Sequence, residues 1–85
     1  MPFYVYILRC SDGSYYTGHT DDLDARMAQH SDGVASAYTA KRRPLTLLWA
    51  TDCQTREEAF ELERRLHGWS RAKKEALMRG DFEAL

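Results

Sequence analysis

Runs of β-branched and aromatic residues mark three predicted strands in this chain. They cover residues 3–9, 15–17 and 45–51. Asp12 and Gly13 lie between the first two runs, and this pair is typical of the tight turn of a β-hairpin. The pattern therefore predicts a hairpin near the start of the chain and a third strand well after it.

Three amphipathic stretches predict helices, because each is bounded by residue types that cap helix ends. The predicted caps are, in chain order, Thr20 or Asp21 with Gly33, Thr55 with Gly68, and Ser70 with Gly80. Residues 34–44 are expected to form a loop, so the elements follow the order ββαβαα. This order predicts an α/β fold of the α+β kind, in which a small, mainly antiparallel three-stranded sheet is flanked by helices.

Length and composition indicate an ordinary globular protein. The chain has 85 residues, of which 44% are hydrophobic and 29% are charged, and we expect a single domain over residues 1–85. Its two cysteines are too few for a disulfide scaffold or a four-ligand zinc site. The longest apolar run, residues 4–8, is far shorter than the roughly 20 residues of a membrane helix. The first residues show no signal-peptide pattern, so we expect a cytoplasmic protein with no membrane contact.

The net charge of −1 argues against a protein that coats DNA without specificity, because such proteins are usually basic overall. Positive charge is nevertheless concentrated at Lys41, Arg42 and Arg43, and again around Arg71. A local phosphate site at these residues is compatible with the weak overall charge. For the triplet, a solvated loop and a nucleic-acid contact both stay open.

Glu63 lies on the wrong side of the second predicted helix for a charged residue. Ala59, Leu62 and Leu66 form an apolar stripe at helical spacing, and Glu63 falls inside this stripe. A carboxylate on an inward face must be paired, protonated or bound to a cation, because an isolated buried charge is costly. Three interpretations stay open: a structural salt bridge, a residue at the edge of the stripe that reaches solvent, and a functional ligand.

The first predicted helix shows a similar anomaly. Arg26 and His30 lie three and seven residues after Leu23, so they share one side of the helix with each other and with its inner face. A guanidinium offers a fork of donors that matches phosphate oxygens, and an imidazole titrates near neutral pH. The pair therefore indicates a phosphate site, whereas a water-facing helix shoulder is the structural alternative.

Tyrosines and a histidine add polar groups to the predicted hairpin. Tyr4 and Tyr6 share one face of the first strand, and Tyr16 lies in the second. Gly18 precedes His19 at a predicted turn, where a glycine lets the backbone approach another group closely. Core packing of the tyrosines with hydrated hydroxyls, and solvation of the histidine, are the alternatives to a functional role.

These residues together resemble the GIY-YIG nuclease domain over essentially the whole chain. Tyr4-Val5-Tyr6 and Tyr16-Thr17-Gly18 are similar to its two named tripeptides. The family arginine falls on Arg26, the His or Tyr one turn later falls on His30, and the metal-binding glutamate falls on Glu63. The chain departs from the pattern with tyrosine in place of the first glycine and threonine in place of the second isoleucine. It also contains no asparagine, which larger members often carry near the end of the domain.

The resemblance implies a metal-dependent endonuclease that hydrolyses phosphodiester bonds of nucleic acid, with DNA favoured over RNA and a role in repair or recombination. One Mg²⁺ or Mn²⁺ would bind Glu63, and Arg26 would neutralise the phosphate. Tyr6 or Tyr16 would orient or deprotonate the attacking water. A phenol with an ordinary pKa near 10 is a poor base at neutral pH, so it would need a cationic or basic neighbour, for which His19 and His30 are the candidates. The implied catalytic residues are Tyr6, Tyr16, His19, Arg26, His30 and Glu63.

The same resemblance is compatible with further phosphate contacts and with functions other than cleavage. Lys41, Arg42, Arg43 and Arg71 are predicted to hold flanking phosphates, which would make binding sensitive to salt. Alternatively, the chain is a nucleic-acid-binding module without turnover, or a subunit of a larger repair complex. A homodimer or a complex with a partner protein is compatible with a single small site, which often needs a second copy to cut both strands.

Overall fold

A computed structural model describes residues 2–81 of the chain and shows three strands and four helices there. The elements are β1 (Phe3–Arg9), β2 (Tyr15–Thr20), α1 (Leu23–Asp32), α2 (Ala37–Ala40), β3 (Thr46–Cys53), α3 (Arg56–His67) and α4 (Arg71–Arg79). The predicted fold class is confirmed, and the predicted order lacks only α2. No helix in the described part of the chain is long and apolar enough to span a membrane.

The sheet has the order β2-β1-β3, and both outer strands run antiparallel to β1. Tyr6 at the centre of β1 is paired with Gly18 on one side and with Ala50 on the other. Because successive side chains of a strand point to opposite faces, Val5 and Ile7 face one way while Tyr6 faces the other. The side chains of the central strand therefore pack into two different layers of the protein, one on each face of the sheet.

One face of the sheet carries the main hydrophobic core. Val5 and Ile7 are fully buried against Ala59 and Leu66 of α3, which belong to the apolar side of that helix. Partly buried side chains extend this cluster, among them Trp49, Trp69, Leu62 and Leu77. Burial of such side chains is the main favourable contribution to folding in a chain this small, and it fixes α3 against the sheet.

The start of α1 differs from the prediction. Its N-cap is Asp22, whose side chain accepts a hydrogen bond from the Ala25 amide at 3.0 Å. Thr20 is the last residue of β2, and its hydroxyl is already engaged with the backbone of Asp22. The prediction of Thr20 or Asp21 was therefore wrong by one or two residues, whereas the N-caps predicted for α3 and α4 are confirmed.

The short helix α2 lies within residues 34–44, which were predicted to form a loop. Ser36 caps it, because its hydroxyl accepts from the amides of Tyr38 and Thr39 at 3.1 and 3.4 Å. Four residues are too few to show a helical period in sequence. The helix buries the side chain of Thr39 completely and places it beside α1.

Candidate active site

Tyr6 lies at the centre of the candidate site, on the face of the sheet that α1 covers. Its side chain is fully buried, and its ring passes over the backbone of Gly18 on the neighbouring strand. A Cβ atom at position 18 would lie 2.5 Å from the Tyr6 hydroxyl oxygen and 2.7 Å from Cζ. Gly18 is therefore required for close approach, as the sequence indicated. The turn predicted at Gly18 and His19 is wrong, because both residues lie within β2 and pair with β1.

Gly18→Ala is expected to lower the free energy of unfolding by about 1–3 kcal/mol, the usual cost of overpacking a buried site. The added methyl group must displace the Tyr6 ring, which is held on all sides. Urea denaturation measures the effect. Gly68→Ala is the matched control, because Gly68 has a φ of −83° and the atom nearest to a Cβ there is 3.6 Å away. Equal stability of the two variants would contradict the predicted clash.

His30 of α1 is the hydrogen-bond partner of Tyr6. The Tyr6 hydroxyl and His30 Nε2 are 2.8 Å apart, and Nδ1 of the same ring is 3.0 Å from the Thr39 hydroxyl. The imidazole is only 2% exposed. The sequence left two roles for His30, a phosphate contact beside Arg26 and the basic neighbour of a tyrosine. The structure turns His30 inward and places it against the Tyr6 hydroxyl.

The protonation of this pair follows from its burial. Burial, followed by the effect of Tyr16, raises the pKa of Tyr6 to about 12, although the nearby charge of Arg26 opposes the shift. Burial and the positive charge of Arg26 both lower the pKa of His30. Near neutral pH the phenol is therefore protonated and the imidazole is neutral, which suits a hydrogen bond from the hydroxyl to a ring nitrogen.

Tyr16 of β2 completes an aromatic cluster around His30. Its ring centroid is 5.4 Å from that of His30 and 6.5 Å from that of Tyr6. On its other side, Tyr16 stacks with Tyr38 of α2 at 6.1 Å between centroids. The half-buried Tyr16 thus connects the buried pair with the protein surface.

Glu63 and His19 form the second half of the site, on the face of the sheet that α3 covers. His19 Nδ1 is 2.9 Å from Glu63 Oε2, and the two side chains are 28% and 17% exposed. Glu63 therefore faces the sheet, as its place in the apolar stripe predicted, and it has a partner. Its charge is also the smallest of the causes that raise the pKa of Tyr6.

The two halves meet because β2 is an edge strand. Gly18 lies on the Tyr6 face of this strand, whereas His19 lies on the α3 face. A phenol that crosses Gly18 reaches the same edge of the sheet as a carboxylate held by His19. The structure thus groups Tyr6, Tyr16, Arg26 and His30 on one face of the sheet and His19 and Glu63 on the other, with β2 contributing to both groups.

The donor set for a metal ion at this edge is small. Within residues 2–81, no group of three or more His, Cys, Asp or Glu side chains is arranged to hold a metal ion. Glu63 is the carboxylate that the structure places beside His19, and a cation held by it would take its other ligands from water or substrate.

The arginines predicted to bind nucleic acid also have structural contacts. They donate to backbone carbonyls, Arg42 to Tyr38, Arg43 to Ala40 and Ser31, and Arg71 to Gly13. Arg42 also stacks on the Tyr38 ring at 3.8 Å and pairs with Asp12, while Lys41 is exposed. A guanidinium has five N–H donors, so these bonds are compatible with phosphate contacts, which stay a prediction.

Thr39 and Tyr38 are site residues that the sequence analysis missed as contacts of His30 and Tyr16. Both belong to α2, and the signal that could have found this helix is Ser36, a residue type favoured at N-caps. Nothing local indicates that Thr39 faces a histidine nine residues earlier in the chain. That contact depends on how α1 and α2 pack together.

Comparison with known proteins points to one family. Residues 2–76 match the family model described as the GIY-YIG catalytic domain. A UPF0213 protein of Halobacterium salinarum is 45% identical over 74 residues, which cover 87% of this chain and 96% of that protein. A UPF0213 protein of Staphylococcus aureus is 40% identical over 76 residues, which cover 89% and 93% of the two chains.

Solved structures agree with these relatives. The solution NMR structure of a UPF0213 protein from Bacillus halodurans has a TM-score of 0.61 at 43% identity, covering 93% of this chain and 84% of that one. A solution NMR structure of a protein from E. faecalis has a TM-score of 0.67 at 33% identity, covering 96% and 88%. The name UPF0213 states no activity, so the residues of the site have to indicate the chemistry.

Proposed function

Because the chain belongs to the GIY-YIG domain family, we propose that it is an endonuclease that hydrolyses phosphodiester bonds with the help of one divalent cation. The observation that supports the proposal is the buried Tyr6–His30 hydrogen bond beside the charge of Arg26, with the His19–Glu63 pair on the other face of the same strand β2. DNA is the substrate that we propose, in a repair or recombination reaction.

The donor set at Glu63 fits Mg²⁺ or Mn²⁺. Mg²⁺ keeps several water ligands and is commonly bound through one or two carboxylates together with substrate phosphates. Glu63 supplies one such carboxylate, and the 2.9 Å bond from His19 orients it through a single oxygen. When bound, the ion supplies a Lewis acid that stabilises charge on the phosphate and on the leaving oxygen.

Arg26 is proposed to bind the scissile phosphate. Its charge acts on both Tyr6 and His30, so its guanidinium lies where a phosphate would reach the phenol. Two parallel N–H donors match two phosphate oxygens, and they stabilise the additional negative charge as a fifth oxygen approaches phosphorus. Arg26 thereby holds the substrate against the Tyr6 hydroxyl.

Tyr6 and His30 are proposed to take the proton of the attacking water. A phenol with a pKa of about 12 is not ionised near neutral pH, so Tyr6 cannot act as a free phenolate. Instead, water gives one proton to the Tyr6 oxygen while the Tyr6 proton moves to Nε2 of His30. The water oxygen bonds to phosphorus, the bond to the leaving oxygen breaks, and solvent protonates that oxygen.

Incubation with supercoiled plasmid tests this proposal. In Mg²⁺ or Mn²⁺ we expect nicked circles, and a chelator should abolish their formation. Branched DNA and RNA belong in the same experiment, because the structure favours no particular shape of substrate. Salt-sensitive DNA binding without cleavage in either metal would contradict the nuclease and support a binding module instead. Nicking that persists unchanged in Glu63→Gln would indicate a contaminating enzyme or a metal site that does not include Glu63.

A further inference from the structure

A continuous chain of hydrogen bonds leads from Tyr6 away from the proposed substrate. It runs from the Tyr6 hydroxyl to His30 Nε2 at 2.8 Å, from His30 Nδ1 to the Thr39 hydroxyl at 3.0 Å, and from that hydroxyl to the Ser36 carbonyl at 3.3 Å. Tyr6 and Thr39 are fully buried and His30 is 2% exposed. Bulk water is therefore excluded from the chain.

The hydroxyl contact at the far end of this chain favours one direction for the bonds in it. The Ser36 carbonyl can only accept, so the single proton of the Thr39 hydroxyl points toward it. The Thr39 oxygen must then accept a proton from His30 Nδ1. A neutral imidazole carries one N–H, so Nε2 holds a lone pair and accepts the proton of Tyr6.

We propose that Thr39 is a positioning residue, whose hydroxyl holds the neutral imidazole of His30 in the tautomer that is protonated on Nδ1. With the proton on the other nitrogen, Nε2 would donate to the Tyr6 oxygen and could not receive a proton from it. Thr39 thereby keeps Nε2 ready as the acceptor in the proposed proton transfer. The catalytic consequence rests on the proposed nuclease function, whereas the tautomer does not.

This assignment also explains why a helix of only four residues interrupts the loop. Ser36 caps α2 through its side chain, and its carbonyl accepts both the Ala40 amide at 3.0 Å and the Thr39 hydroxyl. Ser36 therefore stabilises the backbone of α2 and also orients the Thr39 hydroxyl. The geometry at His30 is then held by α2 rather than by α1 alone.

The first test is the tautomer of His30, read from the ring ¹⁵N chemical shifts at a pH where the imidazole is neutral. In the wild type and in Thr39→Ser we expect the proton on Nδ1 and a bare Nε2. In Thr39→Val, which keeps the shape and removes the hydroxyl, the shifts should move toward the Nε2-protonated form. A wild type protonated on Nε2, or a valine variant with wild-type shifts, would overturn the proposal.

The second test separates positioning from packing. With plasmid as substrate, Thr39→Val should lower kcat about 10- to 100-fold, the range for removal of a partner that orients a functional histidine, with KM unchanged. Thr39→Ser should recover most of the loss. Thr51→Val is the matched control, because Thr51 is half-buried on the opposite face of the sheet. A serine variant as impaired as valine would overturn the positioning role.

The two proposals fail in distinguishable ways. If the wild type cleaves no nucleic acid, the nuclease proposal fails, and the ¹⁵N shifts still decide the role of Thr39. If Thr39→Val does not fold, the wild type and Thr39→Ser still report the tautomer. Wild-type cleavage together with an Nε2-protonated His30 would support the nuclease proposal and reject the proposed role of Thr39.

Discussion

Glu63→Gln is expected to reduce metal-dependent cleavage at least about 1,000-fold and to leave the fold intact. A metal ion at a phosphoryl group contributes several kcal/mol of transition-state stabilisation, and each 1.4 kcal/mol corresponds to about tenfold in rate. The amide side chain of the glutamine has nearly the same size as that of glutamate and can still accept a hydrogen bond from His19. It removes the negative charge, which is the property that a hard divalent cation requires.

Initial nicking rates measured over a range of Mg²⁺ and Mn²⁺ concentrations test this prediction. Glu61→Gln is the matched control, since it makes the same chemical change at an exposed position of the same helix. Thermal unfolding of both variants checks the fold. A Glu63→Gln rate within tenfold of the wild type, or an equal loss in the Glu61 variant, would show that Glu63 does not hold the ion.

Arg26→Ala is expected to lower kcat about 100- to 1,000-fold, the usual effect of removing one donor that stabilises transition-state charge. Arg26→Lys should recover only part of the loss, because an ammonium group keeps the charge but not the planar fork. The alanine variant also has an effect that does not depend on activity. The charge of Arg26 lowers the pKa of His30 and of Tyr6, so its removal should raise both.

An NMR titration of His30 measures this second effect directly. In Arg26→Ala the pKa of His30 should rise toward its ordinary value of 6.5, although burial still holds it lower. Arg65→Ala is the matched control, because it removes one positive charge from an exposed position on α3. An unchanged His30 titration in the Arg26 variant would show that the guanidinium does not act on the Tyr6–His30 pair, and normal cleavage would exclude it from the phosphate site.

The fold could be predicted from sequence where local chemistry determines it. The Asp12-Gly13 turn pairs two strands that are adjacent in the chain, and caps such as Thr55 and Ser70 satisfy amides only three residues away. These contacts need no tertiary partner. The predicted N-cap of α1 was wrong because strand pairing with β1 keeps Thr20 in β2, so that Asp22 caps the helix instead.

The sequence predicted which residues belong to the candidate site, but it did not predict which of their side chains contact each other. The helical period alone placed Glu63 on the inner side of α3, and the structure shows it there beside His19. The same reasoning placed His30 on the inner side of α1, but it could not tell whether a phosphate or a tyrosine would meet it. That choice depends on the packing of α1 over β1.

By itself, the sequence determined the three strands, the three longer helices, the N-caps of α3 and α4, and the polar residues that do not fit their faces. These features follow from chain periodicity and from contacts within a few residues. Only the tertiary structure decided that β2 is the edge strand, that the Tyr6 phenol crosses Gly18, and that Thr39 orients His30. These features join residues from both faces of the sheet and from a helix too short to have a period. Strand pairing and helix packing bring such groups together, and no local pattern encodes the distance between them.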